Sequence, residues 1–210
     1  MTAYWSEFLL VAAAHLVAVA SPGPDFALVL RQSITHGRST AIWTSMGIGT
    51  GIMFHVGYSL LGLALLIKSS VFWFDAVKYA GAIYLVWVGW KALRSKPCKA
   101  ELFYAVTVPT PAPHGAFLTG FLVNVLNPKA ALFFIAVFSV VMDPLTPSII
   151  KAGYGLWMVF ATMGWFSLVA LLFTQPGVRR SFLRTGHWFD RIMGVLFLAF
   201  AVRLALSSLP

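Results

Sequence analysis

Acidic residues are scarce in this sequence: six Asp and Glu among 210 residues, against fifteen Lys and Arg. Charged residues of both signs make up only 10% of the chain, where a soluble domain carries roughly a quarter. So few charges cannot clothe a water-facing surface of this size. The single cysteine, Cys98, excludes an internal disulfide and a paired-thiol redox relay. No hydrophilic block is long enough for a separate soluble domain, so one membrane domain spanning 1–210 is expected. Apolar residues supply 60% of the chain, in long runs that recur from end to end, which makes the lipid bilayer the main solvent.

The net charge of +9 would suggest nucleic acid in a soluble protein. Here the basic residues sit in short connections between apolar runs, where they report orientation, and no nucleic-acid partner is expected. The stretch from Phe8 to Ala20, ending Ala18-Val19-Ala20, resembles a signal-peptide core. It has no basic residue before it and carries Glu7, so it reads as the first helix.

Six spans of about 20 residues fit the chain. They run near Tyr4–Leu30, Ala41–Ile67, Val71–Trp90, Gly115–Val141, Ile149–Phe173 and Trp188–Leu206. The expected fold class is therefore an all-α integral membrane protein of six transmembrane helices. Basic residues mark alternate connections: Arg31 and Arg38, then Lys91, Arg94, Lys96 and Lys99, then Arg179, Arg180 and Arg184. The positive-inside rule puts these in the cytoplasm and both termini outside it.

Internal likeness points to two halves, about 1–93 and 115–210, joined by a basic loop over about 94–114. Phe74-Asp75 opens the third span and Phe189-Asp190 the sixth, and residues 84–93 lie against 197–206. Ser21-Pro22 in the first span lines up with Asn127-Pro128 in the fourth. Halves with three spans each have opposite orientations, the inverted-repeat arrangement of many secondary transporters.

The chemistry concentrates at two proline motifs. Ser21-Pro22-Gly23-Pro24-Asp25 cannot continue a regular helix, because each proline lacks an N–H and crowds the preceding turn. Asp25 would open the resumed helix, whose free N–H groups and positive dipole end suit an anion such as a carboxylate. A bare packing kink with Asp25 as N-cap is the simpler alternative. A mid-membrane carboxylate costs about 2.5 to 3.5 kcal/mol to insert, which favours a working role. In the second motif, Asn124 and Asn127 are three apart, Pro128 breaks the ladder beside them, and Lys129 adds an ammonium. Lys129 could snorkel to the headgroups, but some 21 Å of helix separates it from Gly115. Broken spans in corresponding positions of two halves mark a transporter's binding site.

These motifs, with Lys78-Tyr-Ala-Gly-Ala-Ile-Tyr-Leu-Val-Trp-Val-Gly89 and Asp190-Arg-Ile-Met-Gly194, resemble the LysE/RhtB family of bacterial amino-acid exporters. Residues 16–26 look most like its threonine and homoserine branch. The resemblance implies six helices in the bacterial inner membrane and efflux of an amino acid coupled to protons. On that reading Asp25 meets the substrate ammonium and carries the proton, while Lys129 or the exposed helix ends take the carboxylate.

His15 and His55 are further proton-relay candidates, or hydrogen-bonded packing residues. Gly47 and Gly51 form a small-residue pair suited to close helix packing. No cofactor is expected, nor a bound metal, since Asp25, His15 and His55 lack metal-motif spacing. A metal-cation or other small-solute exporter is one alternative, and a membrane-embedded enzyme or assembly factor another. The latter usually needs a paired base and nucleophile or a metal cluster, and neither is legible. The oligomeric state is open, with a homo-oligomer possible.

Overall fold

The computed structural model describes residues 2–21, 23–69, 79, 82–83, 86–87, 89–96, 109–143 and 145–206. Pro22, most of the expected third span with Phe74, Asp75 and Lys78, and much of the basic loop with Cys98 and Lys99 lie outside them. The described residues form helices and their connections: α1 (Thr2–Ala20), α2 (Pro24–Thr35), α3 (Arg38–Ser69), α4 (Pro113–Val125), α5 (Pro128–Ala136), a π-helical turn (Val137–Val141), α6 (Ser148–Phe173) and α7 (Pro176–Leu206).

Proline sets where these helices start. Pro24, Pro113 and Pro128 each occupy a first-turn position, where the missing N–H has no intrahelical partner to lose. The same residues end what precedes them. Tyr4–Ala20 meets Pro24–Thr35 at a bend of 53°, and Pro113–Val125 meets Pro128–Ala136 at 56°. These are the first and fourth of the spans expected from sequence, broken where the proline motifs fall. Among the described residues, α6 alone is long and apolar enough to cross a bilayer unaided, and each bent pair is so as a unit.

One boundary differs from the sequence reading. Residues 176–187 were expected to form a basic connection, yet α7 begins at Pro176, leaving only Thr174 and Gln175 after α6. Arg179, Arg180 and Arg184 therefore lie on a helix. Basic residues are good helix formers, so charge marks the end of an apolar run without marking the end of the helix.

The burial pattern departs from that of a soluble protein. His15, Thr44, His55, Asn124 and Thr162 are all but fully buried, while Leu61, Ile83, Phe160 and Val195 face outward. Apolar outside and polar within suits a lipid solvent. α3 crosses α4 very closely: a Cβ on Gly47 would meet the Phe117 carbonyl, and one on Gly120 would meet that of Thr44. Residues 89–93 cross α7 in the same manner, with Gly89 and Gly194 each against the other's carbonyl. Small residues let backbones approach where no water drives helices together.

Two apolar clusters flank the breaks. One joins α1, α3, α5 and α6 through Val11, Ile52, Phe134, Phe138, Tyr154 and Met158. The other joins α2, α3 and α6 through Phe26, Val29, Ile48, Phe166 and Phe173. At the start of α1, Glu7 accepts from the Asp143 N–H at 2.8 Å and the Thr146 hydroxyl at 2.7 Å. This ties α1 to the connection before α6.

Candidate functional site

An α-helical carbonyl bonds the N–H four residues on. Four residues after Ala18 stands Pro22, and four after Asn124 stands Pro128, so neither carbonyl can find its usual partner. In an apolar medium each must be satisfied otherwise. The Lys129 ammonium donates to the Ala18 carbonyl at 3.2 Å and to the Ser21 carbonyl at 2.8 Å. The Asn124 carbonyl takes the Asn127 N–H at 2.9 Å and lies 3.0 Å from His55 Nε2. Each break thus leans on a polar side chain brought to it by another helix.

Asp25 sits in the first turn of α2, where the helix dipole favours a carboxylate. Its Oδ2 accepts from Asn124 Nδ2 at 2.8 Å and Asn127 Nδ2 at 3.0 Å. Oδ1 is buried and has no hydrogen-bond partner among the described residues. The two asparagines were expected on one helix face. α4 instead ends at Val125, and Asn127 is the N-cap of α5, its Oδ1 accepting the Lys129 N–H at 3.0 Å. Pro128 forces the change, yet both amides still converge on one oxygen. Gly23, in extended conformation, caps α2 without a side chain. A Cβ there would lie 3.2 Å from both Cδ and Nζ of Lys129, so glycine leaves the ammonium its path to α1.

Ser21, Gly23, Asp25, Asn124, Asn127 and Lys129 line one cavity of about 40 Å3, with His15 and Thr162 in the same wall. That holds a few waters, so a larger occupant requires the walls to part. Phe26, Ile52, Phe133, Phe134, Phe166 and Phe197 supply most of its apolar wall, with Ala18, Val19 and Ala130 beside them. The Lys129 ammonium also stands over the Phe197 ring, 5.3 Å from its centre, a cation–π distance.

The two histidines divide. His15 Nε2 lies 3.0 Å from Thr162 Oγ1, and Nδ1 has no partner among the described residues. His55 is absent from the lining and sits behind Asn124, with Nδ1 2.8 Å from the Tyr58 hydroxyl and its ring stacked on Phe134 at 5.6 Å. The Tyr58 hydroxyl also reaches the Ala131 carbonyl at 3.2 Å. It has one proton to give. If His55 is neutral, Tyr58 donates to Nδ1; if His55 is charged, Nδ1 donates and Tyr58 turns to Ala131.

Residues 16–208 match the LysE type translocator family, which covers nearly the whole chain and both broken helices. The protein is a LysE type translocator. It is thus a membrane transporter and not an enzyme. The translocator is 37% identical over 205 residues to the threonine efflux protein of Escherichia coli (strain K12), covering 95% of this chain and 98% of that one. The threonine efflux protein of Salmonella typhi is 34% identical over 201 residues, with the same coverage. The leucine efflux protein of Salmonella choleraesuis (strain SC-B67) is 30% identical over 214 residues, covering 96% and 94%. No solved structure matches the translocator.

Among its described residues, no three of His, Cys, Asp and Glu come together as a metal site would require. Sequence reasoning missed Thr162, Tyr58 and the phenylalanine wall. Thr162 carried a faint signal, as a hydroxyl near the middle of the most apolar span. The phenylalanines carried none, since in a chain with eighteen of them nothing marks the five that line a cavity.

Proposed function

We propose that this translocator exports an α-amino acid of the threonine or homoserine kind from the cytoplasm in exchange for protons. One observation carries the reading: a carboxylate and an ammonium, Asp25 and Lys129, line one cavity at two helix breaks. A free α-amino acid is a zwitterion and complements such a pair. The relatives named for threonine and leucine efflux support the substrate class.

In this proposal the chain is one domain of six spans in two inverted repeats, in the bacterial inner membrane with both termini outside the cytoplasm. The two bends of similar size at corresponding positions support the repeat. Substrate enters from the cytoplasm and offers its ammonium to Asp25 Oδ1, the acceptor without a partner among the described residues. Its carboxylate draws Lys129 from the carbonyls of Ala18 and Ser21. Loss of that tie lets α1 move against α5 and opens the other side. A proton from outside then neutralises Asp25 and releases the ammonium. His55 and Tyr58, behind Asn124, relay or sense that proton, and His15 stands at the cavity wall. One charge moving down 100 mV yields about 2.3 kcal/mol, which sustains a gradient of roughly 50-fold at 1.4 kcal/mol per decade.

The test is efflux from cells loaded with amino acids by feeding dipeptides, with and without the protein. Faster release of threonine, homoserine or a close relative, abolished by an uncoupler, is the expected result. Unchanged release of every amino acid, with the protein present in the membrane, would overturn the reading. Resistance to metal salts would then be measured next.

A further inference from the structure

The ends of an α-amino acid are alike for all of them, so Asp25, Asn124, Asn127 and Lys129 cannot distinguish one side chain from another. Selection must come from the rest of the cavity. Beyond the break itself, where Ser21 and Gly23 lie, that wall is alanine, valine, isoleucine and phenylalanine apart from one polar pair, His15 and Thr162, contributed by α1 and α6. His15 is 1% exposed and so is Thr162. The imidazole is packed among rings, with Phe133, Phe134 and Trp157 centred 5.9 to 6.0 Å away. Its Nε2 lies against the Thr162 hydroxyl, the Met158 backbone also bonds the ring, and its Nδ1 is buried with no side-chain partner among the described residues.

A buried polar atom left without a hydrogen bond is costly, and sites that bind a hydroxyl reject analogues lacking it for that reason. His15 lies three residues before Ala18, just under one helical turn or about 4.5 Å along the axis from the residue whose carbonyl Lys129 grips. The imidazole therefore lies within reach of a short side chain on a substrate seated at Lys129.

We propose that His15, oriented by Thr162, is the specificity-determining group of this cavity and selects a short side chain bearing a hydroxyl. The tautomer does not alter the outcome. With Nε2 donating to Thr162, Nδ1 is an acceptor; with Thr162 donating, Nδ1–H is a donor. A hydroxyl serves either, since it both gives and accepts. A methyl group in its place serves neither. The phenylalanine wall excludes longer polar or charged side chains, which would bury groups it cannot satisfy.

This rests on the amino-acid exporter proposed above, and isosteric pairs separate the two. In proteoliposomes carrying the full chain, exchange of labelled substrate is measured against threonine and valine, and against serine and 2-aminobutyrate. The wild-type protein is expected to favour the hydroxylated member of each pair by roughly 5- to 100-fold. His15→Phe, which keeps a ring in place, should bring both ratios close to one while valine exchange persists or rises. Thr162→Val, which removes the hydroxyl that orients the imidazole, should lower them several-fold.

If no amino acid exchanges in the wild-type protein, the exporter reading itself fails. Amino-acid exchange that treats threonine and valine alike overturns only the role of His15. Ratios unchanged in an active His15→Phe protein also overturn it. Should that variant lose all exchange, Thr162→Val decides: a lowered ratio supports the assignment and an unchanged one ends it.

Discussion

At its first break the chain leaves α1 and resumes as α2 bearing an acid, and at its second it leaves α4 and resumes as α5 bearing a base. Both breaks strip a carbonyl of its partner through a proline four residues on, yet the remedies differ. The Ala18 carbonyl is met by a formal charge, the Lys129 ammonium. The Asn124 carbonyl is met by a backbone N–H and an imidazole. α2 has only a glycine for a cap and places Asp25 in its first turn, where the dipole helps it. α5 is capped by Asn127 and places a lysine where the dipole opposes it, so that cation depends on the end of α1. Lys129 from the second break holds the first, and Asp25 of the first takes both amides of the second, so a ligand that disturbs one is felt at both.

Replacing the acid should unbalance this most. Asp25→Asn keeps the shape but removes a charge that accepts two amide hydrogen bonds. Uncoupler-sensitive efflux should fall on the order of 100-fold with normal membrane abundance. Lys129→Met should come next, leaving the Ala18 and Ser21 carbonyls without their ammonium. A loss of roughly 30-fold is expected, and Lys129→Arg should restore part of it.

The second break, with its double remedy, should tolerate more. His55→Phe retains the stack on Phe134 and leaves the Asn124 carbonyl its bond from Asn127. Efflux should drop only about fivefold, a cost of about 1 kcal/mol, with a shifted pH profile if Tyr58 and His55 exchange a proton. Gly23→Ala is the mildest change, because the new Cβ meets a flexible lysine stem at 3.2 Å and not a backbone. A KM increase of about twofold is expected from that small displacement. Gly120→Ala supplies the contrast. Its Cβ would meet the Thr44 carbonyl, which belongs to a helix and cannot step aside, so the amount of folded protein should fall instead.

Both breaks were legible in the sequence because proline and glycine act locally: Pro22, Pro24 and Pro128 dictate what the backbone cannot do whatever surrounds it. The close packing at Gly47 and Gly51 was legible for a similar reason, and Gly51 turns out to make room for the Asn124 side chain. Where Lys129 would reach was not legible. Its partners are carbonyls more than a hundred residues away, and spacing in sequence says nothing about which broken end a lysine meets. Nor could the sequence show that Asn127 would leave the helix as a cap and still join Asn124 at Asp25. His15 illustrates the limit from the other side. Its position six residues before the break marked it, but Thr162, which orients it, is known only through the packing of α1 on α6.

Competition by single-charge analogues tests most directly whether the two breaks together hold a zwitterion. Efflux of labelled threonine from proteoliposomes would be challenged with unlabelled threonine, with threonine amide, which lacks the carboxylate, and with the corresponding dihydroxy acid, which lacks the ammonium. Threonine should compete fully and each analogue at least about tenfold more weakly. The amide should be the one made insensitive to Lys129→Met, and the acid the one made insensitive to Asp25→Asn. Equal competition by either analogue would mean that one of the two charges plays no part in holding the substrate.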